Sequence, residues 1–133
     1  MSLTPVTLAG ADDLFRGINP AYYHGGRLLS GVFFMKARDT KDDAPSVGIV
    51  KLISLQEFQS VTKPGWGVSR FPVSAPQSLE LSVEPYADPE WGQYAQAHAV
   101  ITGYQNWTNK RRDDVCRQMR NIAEKSIIVI PQP

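Results

Sequence analysis

The sequence predicts a single α+β domain with a mixed, mainly antiparallel sheet, in which one short helix and one long C-terminal helix pack on one face. The chain has 133 residues, the usual size of one domain. Its hydrophobic fraction of 42% supports a core, and its short aromatic and β-branched runs bounded by glycine and proline are typical of strands. Extended helical periodicity occurs near the C-terminus. We expect residues 1–13 to form an N-terminal arm and residues 14–133 to form the domain.

The first third of the chain predicts two strands and a loop. Residues 14–18 are a short apolar run that ends at an Asn-Pro pair, which favours a turn. A glycine pair at 25–26 suits a tight turn because glycine tolerates positive φ. Residues 28–35 are too few for a helix and rich in aromatic and β-branched side chains, so they predict a buried strand. The polar run 36–43 predicts a solvated loop.

The middle of the chain predicts a capped helix among strands. Ser54 and Glu57 have the spacing of a capping box, in which each side chain satisfies a backbone donor at the helix start. A short helix is therefore expected over residues 55–61. Further strand segments are expected at 46–50, 68–73 and 78–83, the last of them beginning as a helical turn.

The C-terminal third predicts a strand, the long helix and a final strand. In the strand 97–103, the two-residue period places His98 and Val100 on one face. Residues 109–125 carry apolar side chains spaced by three and four, which predicts a helix with one buried face. Residues 127–130 are all apolar and β-branched, so we expect a strand buried on both faces.

Composition and charge exclude several classes of function. The formal net charge of +1 gives no overall field that would attract nucleic acid or an anionic membrane. Cys116 is the one cysteine, and the two histidines have no zinc-site spacing, so no disulfide, metal or cofactor is expected. No apolar run approaches the ~20 residues of a membrane span, and no signal-peptide pattern is present, so we expect a cytoplasmic protein.

Four short motifs occur in order along the chain: Arg16 in the opening strand, then Ser30-x-x-Phe33, Ser46-Val47 and His98-Ala99-Val100-Ile101. Over about residues 14–130, this order resembles a family of small, uncharacterised bacterial proteins. The resemblance implies a bacterial origin and identifies no chemistry.

The segment 14–17, Leu-Phe-Arg-Gly, is also similar to the first strand of arginine–serine–glutamate ADP-ribosyltransferases. That resemblance implies that Arg16 would hold the phosphates of NAD and that Ser30 would support the nicotinamide ribose. The glutamate that polarises the ribose 2′-hydroxyl in that family has no match in its Glu-x-Glu or Gln-x-Glu context. The candidates for it are Glu57, Glu80, Glu84 and Glu90.

Arg16 and His98 are the two strongest single candidates. A charge inside an apolar strand is costly to bury unless paired, so Arg16 is expected to meet a carboxylate or an anionic ligand. The alternative is that its stem packs while its guanidinium reaches solvent or the acidic segment. His98 has the chemistry of a base or proton donor near neutral pH. Its alternative is a histidine that donates to a carbonyl and fills space.

The turn region from Tyr22 to Arg27 offers further binding chemistry. It combines two tyrosines with His24, two glycines and a cation, a mixture suited to a planar or phosphorylated ligand. The alternative is a glycine turn beside two partly buried tyrosines. Ser30 and Ser46 lack the Gly-x-Ser-x-Gly context of an activated nucleophile and are expected to be strand-end serines.

The long predicted helix has a basic face with a net charge of +3. With Trp107 nearby, it has the residue types of a nucleic-acid surface. The alternative is a solvated face paired with residues 74–98, which contain four acidic residues and no lysine or arginine. Cys116 lies beside the buried stripe and is expected to act as a small hydrophobe.

We therefore expect a binding or accessory module whose partner is a protein or a small anionic ligand. An enzyme acting on an NAD-like nucleotide is the first alternative, and nucleic-acid binding through the basic helix is the second. Nucleic acid is the least favoured of these partners, and no membrane partner is expected. The candidate ligand-binding residues are Arg16, Tyr22, His24, Arg27, Ser30 and His98.

Overall fold

A six-stranded antiparallel sheet with helices on both faces organises the chain. The computed structural model describes residues 6–33, 35 and 44–132. The six strands are β1 (Asp13–Ile18), β4 (Ser46–Ile49), β5 (Gly67–Pro72), β6 (Ser82–Pro85), β7 (His98–Thr102) and β8 (Ile127–Val129), and a separate ribbon contains β2 (Tyr23–His24) and β3 (Arg27–Leu28). The order in the sheet is β6-β7-β4-β1-β5-β8, and every described pairing is antiparallel. The predicted α+β class is confirmed.

Three α-helices and four 3₁₀ segments complete the described structure. The α-helices are α1 (Leu55–Val61), α2 (Ser74–Gln77) and α3 (Asn109–Lys125), and the 3₁₀ segments are Pro20–Tyr22, Ser30–Phe33, Val50–Leu52 and Pro89–Ala97. The predicted capping box at α1 is confirmed, because the Ser54 hydroxyl accepts from the Glu57 amide while the Glu57 carboxylate accepts from the Ser54 amide. The bounds of α1 and α3 are those that the sequence predicts.

The sheet separates two apolar clusters. On one face, Leu14 and Ile18 of β1 pack with the buried side of α3, including Met119 and Ala123. On the other face, Phe15 packs with Phe58 of α1 and with Val68. This alternation follows the two-residue period of β1. The expectation that both helices lie on one face is therefore corrected, because the apolar side of α1 covers the face opposite to α3.

The predicted buried strand over residues 28–35 is also wrong. Its first residue belongs to the two-residue β3, and Ser30–Phe33 forms a 3₁₀ turn. Val32 and Phe33 are consecutive and both fully buried. A turn can direct two neighbouring side chains into one core, whereas a strand sends them to opposite faces. The predicted loop over residues 36–43 lies outside the described residues.

The last strand does not have the environment that its sequence predicts. Because β8 pairs with β5 at the end of the strand order, it is an edge strand, and Ile128 and Ile130 are 48% and 58% exposed. The expected burial on both faces is thus wrong: β8 follows directly after α3 and reaches the margin of the sheet. From Val6 onward the N-terminal arm packs on the domain, where the Lys51 ammonium donates to the Thr7 carbonyl and pairs with Asp12.

Candidate functional site

Three adjacent strands bring Arg16, Ser46 and His98 together. Ser46 begins β4, which lies between β1 and β7 in the sheet. An Arg16 Nη atom donates to the Ser46 carbonyl oxygen at 2.7 Å, and His98 Nε2 lies 3.0 Å from Ser46 Oγ. Ser46 therefore contacts both candidates that the sequence singles out, and we call these residues the Arg16–Ser46–His98 cluster.

The guanidinium of Arg16 is held by backbone oxygens. Its second Nη donates to the Val32 carbonyl at 2.6 Å, and its Cζ lies 5.1 Å from the centre of the Phe33 ring. Nε is buried and has no hydrogen-bond partner, and no carboxylate in the described residues pairs with this side chain. Burial lowers the pKa of Arg16 to about 10, with Tyr22 opposing the shift. Arg16 is thus a cation at neutral pH.

The hydrogen bonds of His98 fix its tautomer. Nδ1 lies 2.5 Å from the Tyr86 carbonyl oxygen, which can only accept. In the neutral ring, Nδ1 therefore carries the hydrogen and Nε2 accepts from the Ser46 hydroxyl. Trp91 packs edge-on against the imidazole at 4.8 Å between ring centres, and His98 is 5% exposed. The ring is held in an orientation that points its basic nitrogen at Ser46.

Ser46 lines three clefts. The indole cleft, of about 200 Å³, is lined by Arg16, Ser46, Phe58, Lys63, Trp66 and Trp91. The Tyr22 cleft, of about 330 Å³, is lined by Arg16, Asn19, Tyr22, Val32, Ser46 and Trp66. The acidic cleft, of about 300 Å³, is lined by Ser46, Tyr86, Asp88, Glu90 and His98. Arg16 and His98 therefore line different clefts, with Ser46 common to all three.

Two glycines leave room for the aromatic walls of these clefts. A Cβ on Gly17 would lie 3.2 Å from Cε3 of Trp66, and a Cβ on Gly48 would lie 2.7 Å from Cδ1 of Phe58. With hydrogen in place of a side chain, β1 and β4 let these rings lie directly on the sheet. The same face of β4 carries Ser46, two residues before Gly48.

The other predicted site residues have different positions. Tyr22 ends the 3₁₀ segment Pro20–Tyr22 and is 36% exposed in the Tyr22 cleft with Arg16. Ser30 begins a 3₁₀ turn, so the expectation of a strand-end serine is wrong for this residue.

His24 and Arg27 lie on the separate β-ribbon. His24 is exposed, with Nε2 3.1 Å from the Ala21 carbonyl oxygen. Arg27 pairs with Glu124 of α3 at 2.8 Å. Neither residue lines the clefts around Arg16. The expectation that they join one surface with Arg16 and His98 has no support in these positions.

Two of the cations at the start of α3, Arg111 and Arg112, contact other residues of the chain. Arg111 pairs with Glu80 at 3.1 Å, as the sequence predicts for the acidic segment, and its guanidinium lies 3.8 Å from the Trp107 ring centre. Arg112 is buried and donates to the Trp107 carbonyl. Arg111 and Arg112 therefore contact other residues of the same chain.

Sequence reasoning missed Ser46 as a site residue and did not select Trp66 or Trp91. Ser46 is a strand-end serine, as predicted, but its contact with His98 spans 52 positions and depends on the pairing of β4 with β7. The alternation of Ser46 and Gly48 in an otherwise apolar strand is the local signal that could have indicated this face.

Two further findings concern other classes of site. No group of three His, Cys, Asp or Glu side chains in residues 6–33, 35 and 44–132 is arranged to hold a metal ion. Over the same residues, no helix has the length and apolar character needed to cross a membrane.

Neither a protein-family model, nor a curated protein, nor a solved structure matches this chain.

Proposed function

We propose that this protein binds a small ligand in which an anionic group is joined to a flat ring, and that a nucleotide is the class that fits. The observation that carries the proposal is the half-buried, charged Arg16, whose Nε is fully buried and which has no carboxylate partner among the described residues. Desolvation of a cation is costly, and an anionic ligand offsets the cost with charge-assisted hydrogen bonds.

Arg16 has hydrogen-bonding capacity left for such a ligand. A guanidinium has five N–H donors, and the described contacts use one on each Nη. Lys63 is a second cation in the indole cleft, and no carboxylate is among the described lining residues of that cleft or of the Tyr22 cleft. Both clefts therefore favour a negative charge near Arg16.

The aromatic walls supply the second part of the specificity. Trp66 lines both the indole cleft and the Tyr22 cleft, and Trp91 and Phe58 complete the apolar side of the former. A planar base or nicotinamide ring stacks well on such side chains, since aromatic pairs prefer offset or edge-on contacts. A ligand with its ring between the indoles and its phosphate at Arg16 satisfies both requirements.

The first experiment compares AMP, ADP, NAD, adenosine and inorganic phosphate by thermal shift and by quenching of tryptophan fluorescence. We expect AMP or a larger nucleotide to raise the melting temperature, because a ligand at 100 times its Kd stabilises the native state by about 2.7 kcal/mol. Adenosine should bind about 10- to 100-fold more weakly, since it lacks the hydrogen bonds to the charged group. If none of the three nucleotides binds, the proposal is wrong.

The second experiment uses a matched pair of arginines on adjacent strands. Arg16→Gln removes the cation from the cleft, whereas Arg70→Gln removes one from β5 that pairs with Asp13 outside it. Nucleotide affinity should fall at least tenfold in the first variant and stay unchanged in the second. If Arg16→Gln does not fold, Lys63→Gln removes the second cation of the indole cleft and should also weaken binding. Unchanged affinity in the folded variant that lacks the charge would contradict the role of charge.

A further inference from the structure

The Ser46 hydroxyl and the His98 imidazole are positioned like a nucleophile and its general base. Their separation of 3.0 Å is within hydrogen-bond reach. Because Nδ1–H donates a hydrogen bond to the Tyr86 carbonyl, Nε2 is the nitrogen that can accept the serine proton. A base oriented by a third group is the arrangement that activates a serine.

The hydroxyl is also accessible to a substrate. Ser46 is an exposed residue that lines all three clefts, whereas His98 is almost fully buried behind it. A substrate in the indole cleft therefore lies next to Ser46 and does not need to displace the histidine. Trp91 supports the imidazole edge-on, so the base stays aligned.

The charges around the pair favour the charge separation that such a reaction needs. The Arg16 guanidinium donates to the Ser46 carbonyl, so a positive charge lies next to this residue, and negative charge would develop on the carbonyl oxygen of an ester that Ser46 attacks. Asp88 and Glu90 line the acidic cleft together with His98, on the side where an imidazolium would form. Opposite charges thus lie on the two sides of the pair.

We propose that Ser46 and His98 cleave carboxylic esters, with an aromatic alcohol part of the substrate held in the indole cleft. Ser46 Oγ attacks the ester carbonyl carbon while His98 Nε2 takes the hydroxyl proton. The tetrahedral intermediate then expels the alcohol oxygen, which receives that proton, and an acyl-serine is left. Water adds to the acyl group with His98 again as base, and release of the carboxylic acid returns the proton to Ser46. This activity does not depend on a nucleotide at Arg16.

The test uses the whole protein and two independent readouts. The first is release of 4-nitrophenolate from 4-nitrophenyl acetate, and the second is the mass increase after treatment with a fluorophosphonate, in which the serine oxygen displaces fluoride from phosphorus. We expect a 4-nitrophenolate burst, and we expect peptide mapping to place the fluorophosphonate on Ser46.

The variants separate the pair from nonspecific reaction at the surface. Ser46→Ala should abolish labelling, and His98→Gln should slow both reactions by about 10²- to 10⁴-fold. The other histidine provides the matched control, so His24→Gln should react like the natural protein. Mapping of the label needs no variant, so it decides the question even if a variant fails to fold.

Any of three results would overturn the inference: ester cleavage no faster than in buffer, a fluorophosphonate label on a residue other than Ser46, or an unchanged rate of ester cleavage in a folded Ser46→Ala variant. Ser46→Ala should still bind AMP, because its backbone carbonyl remains for Arg16. Loss of esterase activity and loss of nucleotide binding are therefore distinguishable.

Discussion

Replacing Gly48 by alanine tests how tightly the sheet packs beneath the candidate site. The new Cβ would lie 2.7 and 2.9 Å from Cδ1 and Cε1 of Phe58. Non-bonded carbons prefer a separation of about 3.5 to 4.0 Å. The ring would therefore have to retreat by roughly 0.8 Å or more to reach the near end of that range. The backbone itself accepts alanine, since Gly48 does not have a positive φ.

Phe58 has little room for that movement. It is 2% exposed, and its ring centre lies 5.4 Å from that of Phe15 and 5.8 Å from that of Trp91. Overpacking of this kind costs about 1 to 3 kcal/mol. The gain from a less flexible unfolded chain offsets about 0.4 to 1 kcal/mol of it. We expect Gly48→Ala to lower the free energy of unfolding by about 1 to 2 kcal/mol.

Urea unfolding followed by tryptophan fluorescence measures this change. Gly10→Ala is the matched control, because its Cβ would meet Gln77 Oε1 at 3.5 Å and Ser74 Cβ at 3.6 Å, which are ordinary contacts. The control should stay within about 1 kcal/mol of the natural protein. Phe58→Leu should cost less in the Gly48→Ala background than alone, since the smaller side chain relieves the clash. Equal stability of Gly48→Ala and the natural protein would refute the packing argument.

Three further predictions concern stability and reactivity. Ser54→Ala should lower the free energy of unfolding by about 1 kcal/mol because α1 loses its cap. Ser60→Ala, in the last turn of the same helix, should lower it by less. Equal urea midpoints for the two variants would contradict this. The Leu28 amide, and then the Arg27 charge, lower the pKa of Glu124, so this carboxylate contributes stability above its unfolded pKa and loses it as the pH falls through its folded pKa. The stability deficit of Glu124→Gln, measured by urea unfolding from pH 7 to pH 3, should accordingly shrink toward acid. Burial raises the pKa of the Cys116 thiol, which donates to the Phe33 carbonyl, so a disulfide reagent should modify Cys116 much faster in urea than in the native state.

Local signals in the sequence were enough to predict α1 and α3, because these helices depend on interactions between residues close together in the chain. The Ser54 and Glu57 side chains cap α1 through bonds between residues three positions apart. The long helix follows from its apolar spacing, with Met119 and Ala123 fully buried. Both features depend on neighbours in the chain, so a pattern in a short window contains the information needed to predict them.

Features that depend on tertiary neighbours were not predictable in this way. Residues 28–35 have the composition of a strand, but α3 covers Val32 and Phe33 together, which only a turn permits. Residues 127–130 have the composition of a central strand, and their edge position follows from the strand order. In each case the side chains indicate burial or strand character, while the topology decides how they are arranged.

In the candidate site, too, some residues could be predicted from local sequence and others depended on tertiary contacts. Arg16 was recognisable because a charge in an apolar strand requires an explanation. Ser46 was not, since its partners lie 30 and 52 positions away and reach it only through the pairing of three strands. The sequence therefore indicated the two outer members of the cluster and missed the residue that joins them.

Ser46 joins chemistry from both faces of the sheet. Its carbonyl accepts from Arg16, whose neighbours Leu14 and Ile18 face α3, while its hydroxyl faces the side covered by α1 and Trp91. The two proposals consequently respond differently to substitution. Ser46→Ala removes the hydroxyl and keeps the carbonyl, so it should abolish ester cleavage and preserve Arg16. Arg16→Gln removes the cation and also releases the Ser46 carbonyl, so it should weaken nucleotide binding and slow ester cleavage together. An Arg16→Gln variant that lost nucleotide affinity but cleaved esters at the natural rate would show that the guanidinium does not assist the serine.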